Sequence, residues 1–213
     1  WQSLIRVLSH EMNNSMAPIS AISQSMQSKL SKASSELDRQ SLLEGVNIIN
    51  ERAKSLTGFI ASYSQLSHLP KPNKSSVDLY QVLQSSAASF PLLTTQFCDS
   101  CRLRLTVDKS QFEQVLINLF KNAVEAMAGQ SPMLVKVEAL QDETKIAISI
   151  TDHGCGIANA DNVFVPFYST KATGSGIGLA LCRQIMFNHN GQIALTNRQD
   201  TQGVEVRLTL PLA

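Results

Sequence analysis

The sequence predicts an α+β chain in two parts: an N-terminal helical hairpin that pairs into a dimeric four-helix bundle, then an α/β sandwich domain built on one mixed sheet. Three observations predict it. Apolar residues up to Leu66 recur at steps of three and four, the spacing of a helix face; Pro70 and Pro72 then break the pattern; beyond them, strand-like alternation is interleaved with further helical runs. The parts are drawn at residues 1–69 and 74–213. Residues 70–73 form a short, stiff linker, because two prolines cannot continue a helix and restrict the residues before them.

The first helix is carried by Leu4, Leu8, Met12, Ser15 or Met16, Ile19, Ile22, Met26 and Leu30, with Pro18 predicting a bend just beyond the turn that holds His10. Residues 31–38 are serine-rich and connect it to the second helix. That helix shows a heptad seam, Leu42, Val46, Ile49, Ala53, Leu56, Ile60 and Tyr63, widened by Leu43, Phe59 and Leu66. Stripes this wide cannot be buried within one hairpin, since each helix has a single neighbour. Two hairpins in a homodimer solve the problem.

In the second part, residues 77–88 read as helix, and Leu103, Leu105 and Val107 alternate as a short strand. Residues 110–127 are strongly helical, with Ser110 and Glu113 spaced as a capping box. Strands follow at 134–140 and 145–150, as a hairpin around Gln141-Asp142-Glu143. A glycine-rich stretch then leads into a helix at 177–188, and strands at 192–196 and 204–210 close the chain. Grouped strands with interspersed helices imply one mixed sheet covered on one face.

The 213 residues carry a net charge of +1 without a block of like charges, so bulk electrostatics gives no argument for nucleic acid or an anionic membrane. No apolar run reaches the eighteen or so residues of a membrane span, and no signal-peptide pattern opens the chain, which reads as a cytoplasmic fragment. Its helical start at Trp1 predicts a preceding piece. The four cysteines are too few and scattered for a disulfide framework, and the pair Cys98 and Cys101 lacks the second pair a zinc site needs.

Chemistry concentrates in five blocks. In Leu8-Ser9-His10-Glu11-Met12-Asn13-Asn14, an imidazole that is nucleophilic near neutral pH has a carboxylate beside it and a carboxamide one turn on. A surface histidine on an amphipathic helix is the plain alternative. On the helix at 110–127, Asn118, Lys121, Asn122 and Glu125 share one face; amide oxygens suit Mg²⁺ and an ammonium suits phosphate, although a solvated polar face would look the same. Asp152-His153-Gly154-Cys155-Gly156-Ile157 follows a strand, placing a carboxylate where it can accept from an exocyclic amine, or simply forming a turn. Phe164-Val165-Pro166-Phe167-Tyr168-Ser169-Thr170-Lys171 reads as a hydrophobic clip. Gly174-Ser175-Gly176-Ile177-Gly178-Leu179 opens a helix whose free N–H groups can hold phosphate oxygens. The G-x-x-x-x-G-K-[ST] loop is not found.

In this order and spacing the last four blocks closely resemble the N, G1, F and G2 boxes of the GHKL ATPases, and with the His10 block the chain resembles a bacterial sensor histidine kinase catalytic core. The resemblance covers nearly the whole chain. It implies an ATP-dependent protein-histidine kinase with ATP and Mg²⁺ as cofactors, His10 as phospho-acceptor and Glu11 as the group that orients its imidazole. It also implies that Asn14 positions water for hydrolysis of the partner's phosphoaspartate. Asn122 becomes the magnesium ligand, with Asn118 and Lys121 near the phosphates. Asp152 takes the adenine amine, Gly154 and Gly156 shape its pocket, and Gly174, Gly176 and Gly178 belong to the lid. Ile157, Thr170, Lys171, Ser175 and Leu179 are carried over as nucleotide contacts. The implied partners are a response regulator receiver domain, a second copy of the chain and an upstream sensory region, membrane-attached or not.

The chain departs from the resemblance in places. Ser15 rather than proline follows Asn14, the lid between Lys171 and Gly174 is short, and Cys155 inside the adenine motif is unusual. It reads as a small buried thiol before it reads as a redox handle. His68, His153 and His189 have no acidic neighbour arranged like Glu11 and read as structural or surface residues. Three other readings stand beside the kinase: a non-catalytic scaffold, a phosphatase working mainly through Asn14, and a serine kinase of the anti-sigma type, which would not need the hairpin.

Overall fold

The computed structural model describes the backbone of residues 2–30, 36–67, 69–169 and 176–212; the side chains of residues 2–11, 13, 15, 29–30, 36–39, 59, 62–63, 65–67 and 161 lie outside the description. The chain divides into two compact units, Trp1–Ser67 and His68–Ala213.

The first unit is a pair of packed helices, α1 (Gln2–Leu30) and α2 (Glu36–Ser67), with Pro18 inside α1. Gly45 lies at a close approach between them: a Cβ there would lie 2.8 Å from Met26 Sδ and 3.3 Å from Ile22 Cγ2. The heptad seam of α2 splits into two columns. Leu42, Ile49 and Leu56 are half-buried, whereas Val46, Ala53 and Ile60 are exposed. Met12 and Met16 on α1 are exposed as well. One hairpin thus covers only part of its apolar surface. Among the described residues no helix is long and apolar enough to cross a membrane.

The second unit is an α/β sandwich. A small antiparallel pair, β1 (Ser75–Asp78) with β3 (Arg104–Val107), stands beside a five-stranded sheet of β2 (Leu93–Phe97), β4 (Met133–Gln141), β5 (Lys145–Thr151), β6 (Gln192–Asn197) and β7 (Val204–Pro211). The order is β2-β4-β5-β7-β6, with β2 parallel to β4 and every other pair antiparallel, so the sheet is mixed. Helices α3 (Leu79–Ala87), α4 (Lys109–Ala126) and α5 (Gly178–Asn188) contribute the other half of the core. Strand alternation explains the layering. Val135, Val137 and Ala139 on β4, Ile146, Ile148 and Ile150 on β5, and Val204, Val206, Leu208 and Leu210 on β7 are all buried, while their neighbours in sequence point away.

The central helix is α4, which buries Phe112, Val115, Leu116, Leu119, Phe120 and Ala123 at helical spacing. It begins two residues earlier than the sequence suggests. Asp108, not Ser110, is the N-cap: Asp108 Oδ1 accepts from the Gln111 N–H at 3.1 Å and from Ser110 Oγ at 2.8 Å. Glu113 therefore falls two residues too far along to close a capping box. It pairs instead with Lys109 and accepts from Ser85 Oγ. α3 likewise begins at Leu79, capped by Asp78, because Val77 is taken up by β1.

Phe120 is fully buried and meets Phe90 edge to face, with centroids 6.5 Å apart. Phe120→Ala is expected to lower unfolding free energy by about 3–5 kcal/mol, and Phe120→Leu by much less, as read from urea titration of both variants.

Candidate functional site

Two loops close on α4, about 12 Å apart along its axis at 1.5 Å per residue. At the C-terminal end, Gly154 lies against Ala126: a Cβ on Gly154 would be 2.5 Å from Ala126 Cβ and 2.9 Å from its carbonyl carbon. The Cys155 N–H donates to Ala126 O at 3.1 Å and satisfies a carbonyl that the helix end leaves open. Eight residues earlier, Gly178 opens α5 beside Asn118, where a Cβ would stand 3.3 Å from Asn118 Oδ1. Asn122 sits one turn from each contact. The helix is thus the rod against which both loops are positioned.

Asp152 anchors the first loop. It is only 7% exposed, and its Oδ1 accepts from the Gly154 N–H at 2.8 Å and the Val204 N–H at 3.2 Å. No protein donor among the described residues bonds its Oδ2. Burial pushes the carboxyl up from its ordinary value, against the pull of the two N–H groups, His153 and Arg198. Gly203, at φ +134°, passes so close to the Asp152 carbonyl that no side chain fits there.

Gly156 takes φ +79°, and the residue after it is gripped by Asn197 at the end of β6. Asn197 Nδ2 donates to Ile157 O at 2.8 Å, and its Oδ1 accepts from the Ile157 N–H at 2.8 Å. Sequence reasoning missed both Asn197 and Gly203. A polar residue at a strand end and a Gln-Gly turn were the only signals.

The second loop is joined to the aromatic clip. The Phe167 N–H donates to Gly176 O at 2.9 Å; Phe167 and Gly176 both have positive φ, and a Cβ on Gly176 would stand 2.5 Å from the Phe167 carbonyl carbon. The Arg183 guanidinium lies 5.5 Å from the centre of the Phe164 ring. Ile177, the residue before α5, provides no side-chain cap, so the first N–H groups of the helix are not taken by it. Lys121 is exposed and stands 3.9 Å from Glu125, a surface pair of little energetic weight.

Asn118 and Asn122 thus lie along α4, Asp152, Gly154, Gly156, Ile157 and Gly176 on the two loops beside it, and Gly178 and Leu179 at the start of α5. Thr170, Lys171, Gly174 and Ser175 fall outside the described residues. His10 and Glu11 are on α1 with their side chains outside the description, and Asn14 is exposed one turn further on. Cys155 corrects an expectation: it is exposed, because the tight Gly154 turn against Ala126 directs it outward. Cys98, Cys101 and Cys182 are free thiols, and the described residues contain no group of three His, Cys, Asp or Glu able to hold a metal.

Residues 107–213, half of the chain, match the family described as histidine kinase-, DNA gyrase B- and HSP90-like ATPase. The NtrY-like sensor histidine kinase of Rickettsia bellii is 27% identical over 99% of this chain and 35% of its own length. The nucleotide-free catalytic domain of histidine kinase ThkA is 29% identical, with a TM-score of 0.58 over 65% of this chain and 95% of that one. ThkA in complex with the response regulator TrrA matches 100% of this chain and 61% of its own, at 24% identity and a TM-score of 0.66. The chain belongs to this ATPase family, and its hairpin followed by the ATPase domain is a sensor histidine kinase catalytic core. It spans about a third of the length of the curated relatives it matches, 35% and 28% for two of them.

Because Asp152 is protonated above its ordinary 3.8, the native domain binds more protons than the unfolded chain just above that pH, and the contribution of this group to stability falls as pH rises through the window. Asp152→Asn is expected to remove that slope and to leave the unfolding midpoint at pH 7 equal or higher. The same variant should weaken adenine nucleotide binding about tenfold or more, since an amide NH₂ in place of Oδ2 cannot accept from an amine. Thermal melts across pH and nucleotide titration check the two halves.

Proposed function

We propose that this chain is an ATP-dependent protein-histidine kinase core that phosphorylates His10 and passes the phosphoryl group to an aspartate on a response regulator receiver domain. The observation that carries this reading is the convergence of the Asp152 loop and the Gly178 helix start on α4. Asp152 Oδ2 takes the adenine amine at one end of the helix, and the N–H groups opening α5 take phosphate oxygens at the other. Lys121 offsets phosphate charge beside them, at the expense of its weak surface pair with Glu125. Thr170, Lys171, Gly174 and Ser175 are assigned to the lid by their place in the sequence.

Asn122 fits a magnesium ligand. It is a half-buried amide on the turn between the two loop contacts, and Mg²⁺ takes one or two protein oxygens and completes its shell with water and phosphate. When bound, the ion offsets phosphate charge. An imidazole nitrogen of His10 attacks the γ-phosphorus in line, forming a P–N bond as the bond to the ADP oxygen breaks. Glu11 holds the other ring nitrogen and fixes the tautomer. The phosphoryl group then moves to the receiver aspartate, and Asn14 positions water for the later hydrolysis of that phosphoaspartate. The ThkA complex supports a receiver domain as partner.

The exposed column Val46, Ala53 and Ile60, with Met12 and Met16, supports a second hairpin as its cover, which makes the working unit a homodimer. Residues 70–73 join the hairpin, residues 1–69, to the nucleotide domain, residues 74–213. A sensory region upstream is proposed as a further partner of this core.

Asn122→Ala is expected to abolish the Mg²⁺ dependence of ATP affinity, while His10→Gln keeps both affinity and Mg²⁺ dependence. Calorimetric titration with and without Mg²⁺ separates these outcomes. Unchanged Mg²⁺ dependence in Asn122→Ala would remove the metal assignment.

A further inference from the structure

A chain of hydrogen bonds runs from residues 70–73, through the first turn of α4, to the last turn of α5. Gln111 Nε2 donates to Pro70 O at 2.9 Å, and the Asn73 N–H donates to Asp108 Oδ2 at 2.8 Å. Asp108 caps α4 with its other oxygen, and its own N–H donates to His189 Nε2 at 2.9 Å. His189 Nδ1 lies 2.8 Å from Ile185 O. A backbone N–H can only donate, so Nε2 accepts and Nδ1 carries the proton that goes to Ile185 O. His189 is 2% exposed, and both of its nitrogens are used.

The helices joined by this imidazole run antiparallel. His189 faces Asp108, Cys182 Sγ donates to Val115 O at 3.8 Å, and Gly178 meets Asn118. The thiol contact is long and weak. Among the described residues the Asp108 to His189 bond is therefore a firmer directional tie on the axial position of α5 along α4 than the thiol contact. A hydrogen-bonded helix is stiff along its axis, so a shift at the His189 end reappears at the Gly178 end. There the separation of Gly178 from Asn118 leaves only van der Waals space.

We propose that His189 is a positioning residue that couples the linker to the nucleotide site, by fixing the register of α5 against α4 from a capping residue that also holds the linker. The proposal rests on the nucleotide-site reading above. Gln111 adds weight to it. Its side chain is buried, and among the described residues its Oε1 has no partner and the one bond its amide makes goes to the linker. An apolar side chain of similar length would fill that space without an unsatisfied oxygen, so the amide serves the linker bond rather than domain stability.

The test measures the affinity of trinitrophenyl-ATP for the full chain and four variants. Asp108→Asn keeps the capping oxygen but replaces the acceptor of the Asn73 N–H with a donor. His189→Asn keeps a donor for Ile185 O but loses the acceptor for Asp108, whereas His189→Gln keeps an acceptor at the Nε2 position. Asp108→Asn and His189→Asn are each expected to weaken binding at least about fivefold, the lower range of site-to-site coupling. His189→Gln should restore most of the loss. The double variant Asp108→Asn/His189→Asn should bind no more weakly than the weaker single one, because both cut one relay.

Gln111→Met guards against misfolding: it should weaken binding while its unfolding midpoint stays level or rises. Wild-type affinity in Asp108→Asn or Gln111→Met, or additive losses in the double variant, would overturn the proposal. Asp152→Asn run alongside separates the two readings, since normal binding in that variant counts against the nucleotide site itself.

Discussion

The close approach of two backbone loops to one helix is the constraint on which the rest of the domain depends. Gly154 touches Ala126 and Gly178 touches Asn118, and neither contact leaves room for a larger residue to sit without displacement. The helix can serve as a rod because its other side is among the best buried surface in the protein, with Phe112, Leu116 and Phe120 at 1% exposure or less. Burial of that face fixes the rod, the rod fixes the loops, and the loops bring a carboxylate and a helix start to contacts eight residues apart along it. The sheet below contributes by spacing. Val204 on β7 donates to Asp152, so the strand order that puts β7 beside β5 also orients the carboxylate.

The hairpin obeys a different constraint. Its helices carry more apolar surface than one neighbour can cover, and the seam of α2 divides by exposure into a half-buried and an open column. A free two-helix hairpin of this kind would expose a contiguous apolar stripe, which soluble proteins avoid. The apolar pattern that makes the helices amphipathic is therefore the one that supports the proposed second copy. His10 lies on α1, so the proposed pairing would bring two copies of His10 into one assembly.

Much of this was legible in the sequence, because it rests on periodicity and local chemistry. The heptads of α2, the alternation of β4, β5 and β7 and the glycine-rich blocks are properties of neighbouring residues. What was not legible depends on partners distant in sequence. Residues 93–97 and 75–78 are strands with too few apolar positions to show alternation, and become strands by pairing with β4 and β3. Asp108 outcompetes Ser110 as cap because its second oxygen also serves the linker. Cys155 is exposed because Gly154 turns the chain against α4. His189 gave no sign of its two bonds, since the Asp108 N–H reaches it only after α4 and α5 have packed antiparallel.

The central claim is that the nucleotide held along α4 serves the imidazole on α1. It is tested most directly by incubating the purified chain with γ-labelled ATP and Mg²⁺ and following the stability of the label on the protein. The account predicts label that is lost in acid, kept in base, and missing from His10→Gln. Acid-stable label, or equal labelling of His10→Gln, would contradict it.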